Sequence, residues 1–158
     1  VLVGALFIVA IALSLIIPRV TAAVRIARDA RRLSAAAMVA QLYSQDHGGT
    51  YPDTLAAGLK DEDSDPGFAS CAASDGSTPD PRYPYVYLGG GLTAGAVVPA
   101  TVVAYTPLAY FDRQGADVCF GNGHVDWVTA ADLPAVLARG GPVTRPATRP
   151  ATPHASSP

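Results

Sequence analysis

The chain has 158 residues, with 11 Lys or Arg against 13 Asp or Glu and a formal net charge of -2. That balance excludes a general nucleic-acid binder, which needs a strongly basic surface. Setting aside an apolar first segment and a low-complexity tail leaves one small domain with one modest core.

Val1 to Ile17 contains no charged residue, and Pro18 and Arg19 end the run. At about 1.5 Å per residue, a helix of this length covers roughly 26 Å, close to a bilayer core of about 30 Å. Residues 1–18 are therefore expected to be the transmembrane half of a long N-terminal helix. No small-x-small junction ends the segment, so it is expected to be retained, and a first residue other than Met implies processing or truncation upstream. Leu2, Leu6, Val9, Leu13, Ile16, Val20 and Val24 recur at steps of three and four and are the expected subunit-packing positions, while Ala5, Ala10, Ala12 and Ser14 permit close helix approach.

Residues 19–46 read as an amphipathic continuation of the same helix, kinked at Pro18. Val20, Val24, Ala27, Ala35, Met38 and Leu42 share one stripe, interrupted by Arg31. Arg25, Arg28 and Arg32 lie on an adjoining face, with Asp29 spaced to pair with Arg25 and Arg32. Such a face is either solvated or in contact with anionic lipid head groups. His47, Gly48 and Gly49 end the helix, because glycine supplies the left-handed exit conformation.

Residues 47–139 are expected to form a small globular α+β head. Thr54 to Leu59 reads as a short helical turn, and the Ser, Asp, Gly and Pro-rich stretch from there to Pro84 as a long loop carrying Cys71. Strand signals follow at Tyr85 to Leu88, where alternation places Tyr85 and Tyr87 on one face, and at Thr101 to Tyr105. Val118 to Phe120, the turn Gly121, Asn122, Gly123 and His124, and Val125 to Val128 read as a hairpin, with Val125 and Trp127 inward and Asp126 outward. Ala130 to Ala138 is the expected closing helix, capped by Thr129. Residues 140–158 repeat Thr-Arg-Pro-Ala and are expected to be a disordered tail.

Few residues suggest chemistry. Cys71 and Cys119 would form one disulfide in an oxidising compartment, or remain two unrelated buried thiols. Asp61, Glu62, Asp63 and Asp65 offer hard oxygen ligands for calcium, the single candidate cofactor, although Pro66 and Ala72 stand where an EF-hand loop requires Gly and an acid; a solvated charge run is the simpler reading. Cys71, Cys119, His47 and His124 are zinc-ligand types without zinc-site spacing. A Cys119–His124 nucleophile pair has no third, orienting group, so no catalytic residue and no enzyme activity is expected. Tyr51, Tyr83, Tyr85, Tyr87, Tyr105, Tyr110 and Trp127 are read as core rather than as an exposed platform.

The apolar helix interrupted by proline, its polar second half, the Gly-x-Tyr-Pro exit and the short antiparallel strands together resemble the type IV pilin and type II secretion pseudopilin superfamily over most of residues 1–139. The segment RRLSAAAMVAQLYSQDHGGTYPDTL is similar to the end of the long helix in pilin-like proteins of Planctomycetes-type bacteria. VVAYTPLAYFDRQGADVCFGNGHVDWV resembles their C-terminal hairpin with its Asp-Gly-His-type turn. The resemblance implies a long helix packed on a small antiparallel sheet, prepilin processing with methylation, and a single inner-membrane anchor with an extracytoplasmic head. Its implied partners are other pilin-like subunits, inner-membrane assembly machinery and membrane lipid, in a periplasmic or surface filament. Some major pseudopilins bind calcium in a head loop, but their ligands match no residues here.

Two departures qualify the likeness. Asp112 stands ten residues before Asn122-Gly123, where one branch carries a His. No acid occurs in Val1 to Ile17, whereas pilins carry a Glu thought to pair with a neighbour's N-terminus. The missing Glu points to a minor or atypical subunit, to a shifted register against the pilin pattern, or to a rival reading as a non-polymerising, single-pass, membrane-anchored binding protein. Arg19, Arg25, Arg28, Arg31 and Arg32 after the span would by the positive-inside rule hold the head in the cytoplasm. The resemblance and the cysteine pair favour export.

Overall fold

The computed structural model describes the backbone of residues 2–73 and 78–140, with side chains from residue 23 onward. The fold is α+β: one long helix, two short ones, and two small antiparallel sheets. Helix α1 (Leu2–Asp46) is continuous. No helix among the described residues is long and apolar enough to cross a membrane. Pro18 lies inside the single helix α1, as the reading of one continuous helix has it; the packing roles of Leu2, Leu6, Val9, Leu13, Ile16 and Val20 in the expected span at 1–18 concern side chains outside the described residues, and the tail beyond Gly140 lies outside them too.

In its second half α1 buries one face against the head. Leu33, Ala36, Ala37 and Ala40, flanked by Asp29 and Ser44, face the head, whereas Val24, Met38 and Leu42 are 52%, 55% and 47% exposed. Alanines at the contact let the helix axis approach the sheet closely, which bulkier residues would prevent. Gly48 and Gly49 end α1 with positive φ, and the Gly49 amide donates to the Ser44 carbonyl at 2.7 Å. Helix α2 (Leu55–Asp61) follows, with the Thr54 hydroxyl capping Ala57 N–H and Leu55 and Leu59 buried against α1.

Among the described residues, the expected loop to Pro84 contains a strand pair. A 3₁₀ turn (Pro66–Ala69), capped by Asp65, leads into β1 (Ser70–Ala72), which pairs antiparallel with β2 (Pro79–Pro84). Its polar composition concealed strands because Asp80 and Ser70 are buried with their hydrogen bonds made locally: Asp80 receives Arg82 at 2.7–3.1 Å, and Ser70 donates to Gly67.

The main sheet runs in the order β3 (Val86–Tyr87), β4 (Val102–Tyr105), β5 (Gly115–Phe120), β6 (Val125–Thr129), all antiparallel. Between Val102 and Ala104 the register against β5 slips by one residue, a bulge that turns both Val103 and Ala104 toward α1. The sheet separates two apolar clusters. One, under α1, includes Leu33, Tyr51, Leu59, Tyr85 and Cys119; the other lies on the opposite face, where Val102, Ala116 and Val118 meet Leu133 of α3 (Leu133–Gly140). The closing helix starts three residues later than expected, because Asp132 rather than Thr129 stands at its cap and receives the Val136 amide; Gly140, assigned above to the tail, completes it.

The β5–β6 hairpin forms as read, with Gly123 at φ +80° in its turn. Trp127 departs from the expectation: it meets Phe111 edge-on at 4.9 Å yet remains 38% exposed, because the apolar cover over β6 ends there. The ring also closes over Gly115, where an added Cβ would stand 2.4 Å from the Val128 carbonyl oxygen and 2.6 Å from Trp127 Cζ2. Gly115→Ala is therefore expected to cost about 2 kcal/mol, seen as a lower urea midpoint with altered Trp127 fluorescence.

Candidate functional site

Two features of α1 stand out, one on each face. Outward, Val24, Ala27, Ala35, Met38 and Leu42 form an exposed apolar stripe, broken by exposed Arg31. Shallow hollows flank it, one lined by Ala36, Leu59 and Phe68 and the other by Ser34, Gly123 and Val125. Exposed apolar area of this kind marks an interaction surface more often than chance scatter.

Inward, α1 carries a polar centre. Asp29 is fully buried: its Oδ1 receives the Ala72 amide at 3.0 Å, and the Tyr110 hydroxyl is shared between Asp29 Oδ2 and the Ala72 carbonyl oxygen, 2.8 Å away. This corrects the expected intrahelical ion pairs. Arg25 lies 4.3 Å above the Tyr110 ring and donates to the Tyr110 carbonyl at 2.6 Å, while Arg32 lies 4.6 Å from the Phe68 ring centroid. Burial, then the hydrogen bond to Asp29, raises the Tyr110 phenol above its ordinary range.

Asp117, on the α1 side of β5 by alternation with Cys119, is 1% exposed, and its Oδ2 has no hydrogen-bond partner among the described residues. Burial, reinforced by the charge of Asp29, raises its pKa to about 7. Its backbone is fixed by Thr106, whose hydroxyl accepts from the Asp117 amide at 2.8 Å. Asp29 and Asp117 were both missed as buried acids. The signal for Asp117 was its place in GADVCF, two residues from inward-facing Cys119.

Of the two readings of the cysteines, the structure has the second. Cys71 on β1 and Cys119 on β5 are two free thiols, buried in the same cluster but carried by different sheets. Burial raises the Cys119 thiol to about 12, and burial followed by the nearby Asp29 charge raises Cys71 further. Burial thus leaves both as thiols at neutral pH, without the low pKa that activates a nucleophilic cysteine. His124 stands at the exposed turn with Asp126, Nε2 to Oδ1 2.8 Å, leaving Gly121 and Gly123 to offer carbonyls to Gln41 and Ser34 of α1.

The four calcium candidates are not brought together as a set. Asp65 Oδ1 accepts the Gly67 amide and Asp63 takes a left-handed turn at φ +52°, while Asp61 and Glu62 lie together and face His47. Among the aromatics, Tyr51, Tyr85 and Tyr110 are buried and Tyr83 and Tyr87 pack against the same cluster, as expected of core. Tyr105 packs against the cluster on the other face of the sheet. No family model matches this chain, and no curated protein and no solved structure matches it.

Proposed function

We propose that the chain is a pilin-like or pseudopilin-like structural subunit of a bacterial envelope filament or type II secretion-type assembly, anchored in the inner membrane with its head outside. The observation that carries this reading is the division of labour on α1. Leu33, Ala36, Ala37 and Ala40 dock the head, and on the opposite face the apolar side chains of Val24, Met38 and Leu42 are left facing outward. In the sequence the same three-and-four spacing continues upstream through Val20, Ile16, Leu13, Val9, Leu6 and Leu2. Apolar area left in water favours association at roughly 25 cal/mol per Å² covered, so a second helix laid along this stripe is stabilised by its burial. Exposed Arg31 within the stripe requires a carboxylate from the neighbour. Lipid and assembly machinery are the remaining partners in this reading.

Cysteine substitution at Met38 tests it. In membranes holding the full chain, Met38→Cys is expected to crosslink subunits into a ladder, whereas cysteine at solvent-facing Ala109, remote on the 3₁₀ turn Leu108–Phe111, stays uncrosslinked. A monomer that persists at high concentration in detergent, without crosslinks in membranes, overturns the proposal. That result would favour the non-polymerising anchored binding protein. The observation on its side is an apolar hollow of about 420 Å³ between α3 and the sheet, lined by Val86, Tyr105, Leu108, Leu133 and Leu137.

A further inference from the structure

Helices α1 and α2 end beside one another. His47, the residue after α1, faces Asp61, the last residue of α2, and Glu62, its C-cap; one ligand atom from each of the three lies within 4.8 Å of the other two. Helix C-termini carry negative partial charge, so two of them add to the carboxylates in favouring a cation here.

The imidazole is oriented from behind. Its Nδ1 lies 2.9 Å from the Tyr43 carbonyl oxygen, and its ring stacks on the Tyr43 ring at 3.7 Å with an interplanar angle of 3°. A carbonyl oxygen only accepts, so Nδ1 donates to it, and Nε2 is the ring nitrogen turned to Asp61 Oδ2, 3.4 Å away. A proton or a metal ion can lie between these two atoms.

The second histidine–aspartate pair provides a contrast. His124 and Asp126 meet at 2.8 Å, the length of a direct hydrogen bond. The 3.4 Å between His47 and Asp61 is long for such a bond. It matches the separation of about 3.4 Å between two ligands that each bind a tetrahedral ion at about 2.1 Å. Metal-binding histidines are commonly steadied by a carbonyl on the far ring nitrogen, as His47 is.

We propose that His47 Nε2, Asp61 and Glu62 bind a divalent transition-metal cation of the zinc class, with solvent completing the shell. An imidazole nitrogen selects such an ion over calcium or magnesium, which take oxygen ligands. Its effect is to fasten the end of the long helix to α2 and so fix the angle at which the helix enters the head. This assignment stands independently of filament assembly.

Calorimetry on the full chain in detergent micelles, titrated with zinc chloride and separately with calcium chloride, tests it. One equivalent of zinc is expected to bind with a dissociation constant on the order of 10 µM, and calcium is expected to give no heat over the same range. His47→Gln and Asp61→Asn are each expected to weaken zinc binding by about 30-fold or more, while His124→Gln leaves it unchanged. Zinc should raise the melting temperature of the wild type but not of His47→Gln, whose melting without metal reports its folding. Absence of zinc binding at about 100 µM, unchanged affinity in His47→Gln and Asp61→Asn, or equal loss in His124→Gln overturns the assignment.

Discussion

Replacing Asp29 with Ala is expected to destabilise the fold by about 3 kcal/mol, read as a lowered urea midpoint at constant slope. The carboxylate joins three separate elements: α1, the Ala72 amide of β1 and the Tyr110 hydroxyl of the Leu108–Phe111 turn. Without it the Ala72 N–H is left buried and unpaired in a site with no exposure, and the space of the carboxylate stays unfilled. Asn should recover half the loss or more, since its carbonyl oxygen still accepts from Ala72 and its amide can donate to the Tyr110 oxygen while that hydroxyl donates to the Ala72 carbonyl. Equal stability of Asp29→Ala and the wild type would show that the polar centre contributes nothing to docking the long helix.

The second large effect is a dependence on pH centred on Asp117. Its folded-state pKa is raised from 3.8 to about 7, so between those values the folded protein holds a proton that the unfolded chain has released. The associated stability is complete below about pH 4 and is lost as pH rises to about 7, amounting to about 2 kcal/mol once residual solvation is allowed for. Asp117→Asn is expected to be the more stable protein at pH 8 by that amount, and the difference between the two proteins should vanish near pH 4. Comparing variant with wild type cancels the opposite contribution of Asp80, whose carboxyl Arg82 holds below its ordinary range. The groups that Asp117 meets from the packed elements are Asp29 of α1, whose charge reinforces the shift, and Cys71 of β1, which remains a thiol over this range. Parallel pH profiles for the two proteins would refute this account.

The long helix, its glycine exit and the β5–β6 hairpin were legible because each rests on local signals: an uninterrupted apolar and Ala-rich run, paired glycines, and Asn-Gly between alternating strands. The face that α1 turns inward was not legible. Periodicity points to the stripe holding Val24, Met38 and Leu42, yet the head takes the other one, where Leu33 is joined by Ala36, Ala37 and Ala40, whose small side chains let the helix approach the sheet closely. The β1–β2 pair was hidden for a related reason. Pro, Asp and Ser read as loop, and only tertiary contact with Asp29 and Tyr110 shows how the backbone there is satisfied. At the α1–α2 junction the sequence pointed to acids two apart in the chain, whereas the fold joins one of them to a histidine fourteen residues earlier. Spacing along a loop does not encode which helix end it returns to.

Strand β2 contains Pro79, Pro81 and Pro84 among its six residues. Prolines bring no amide hydrogen, so this border of the molecule offers an incoming strand an interrupted row of donors and discourages sheet-to-sheet addition. Crowded copies held side by side would thus be shielded at this margin from fusing into amyloid-like stacks.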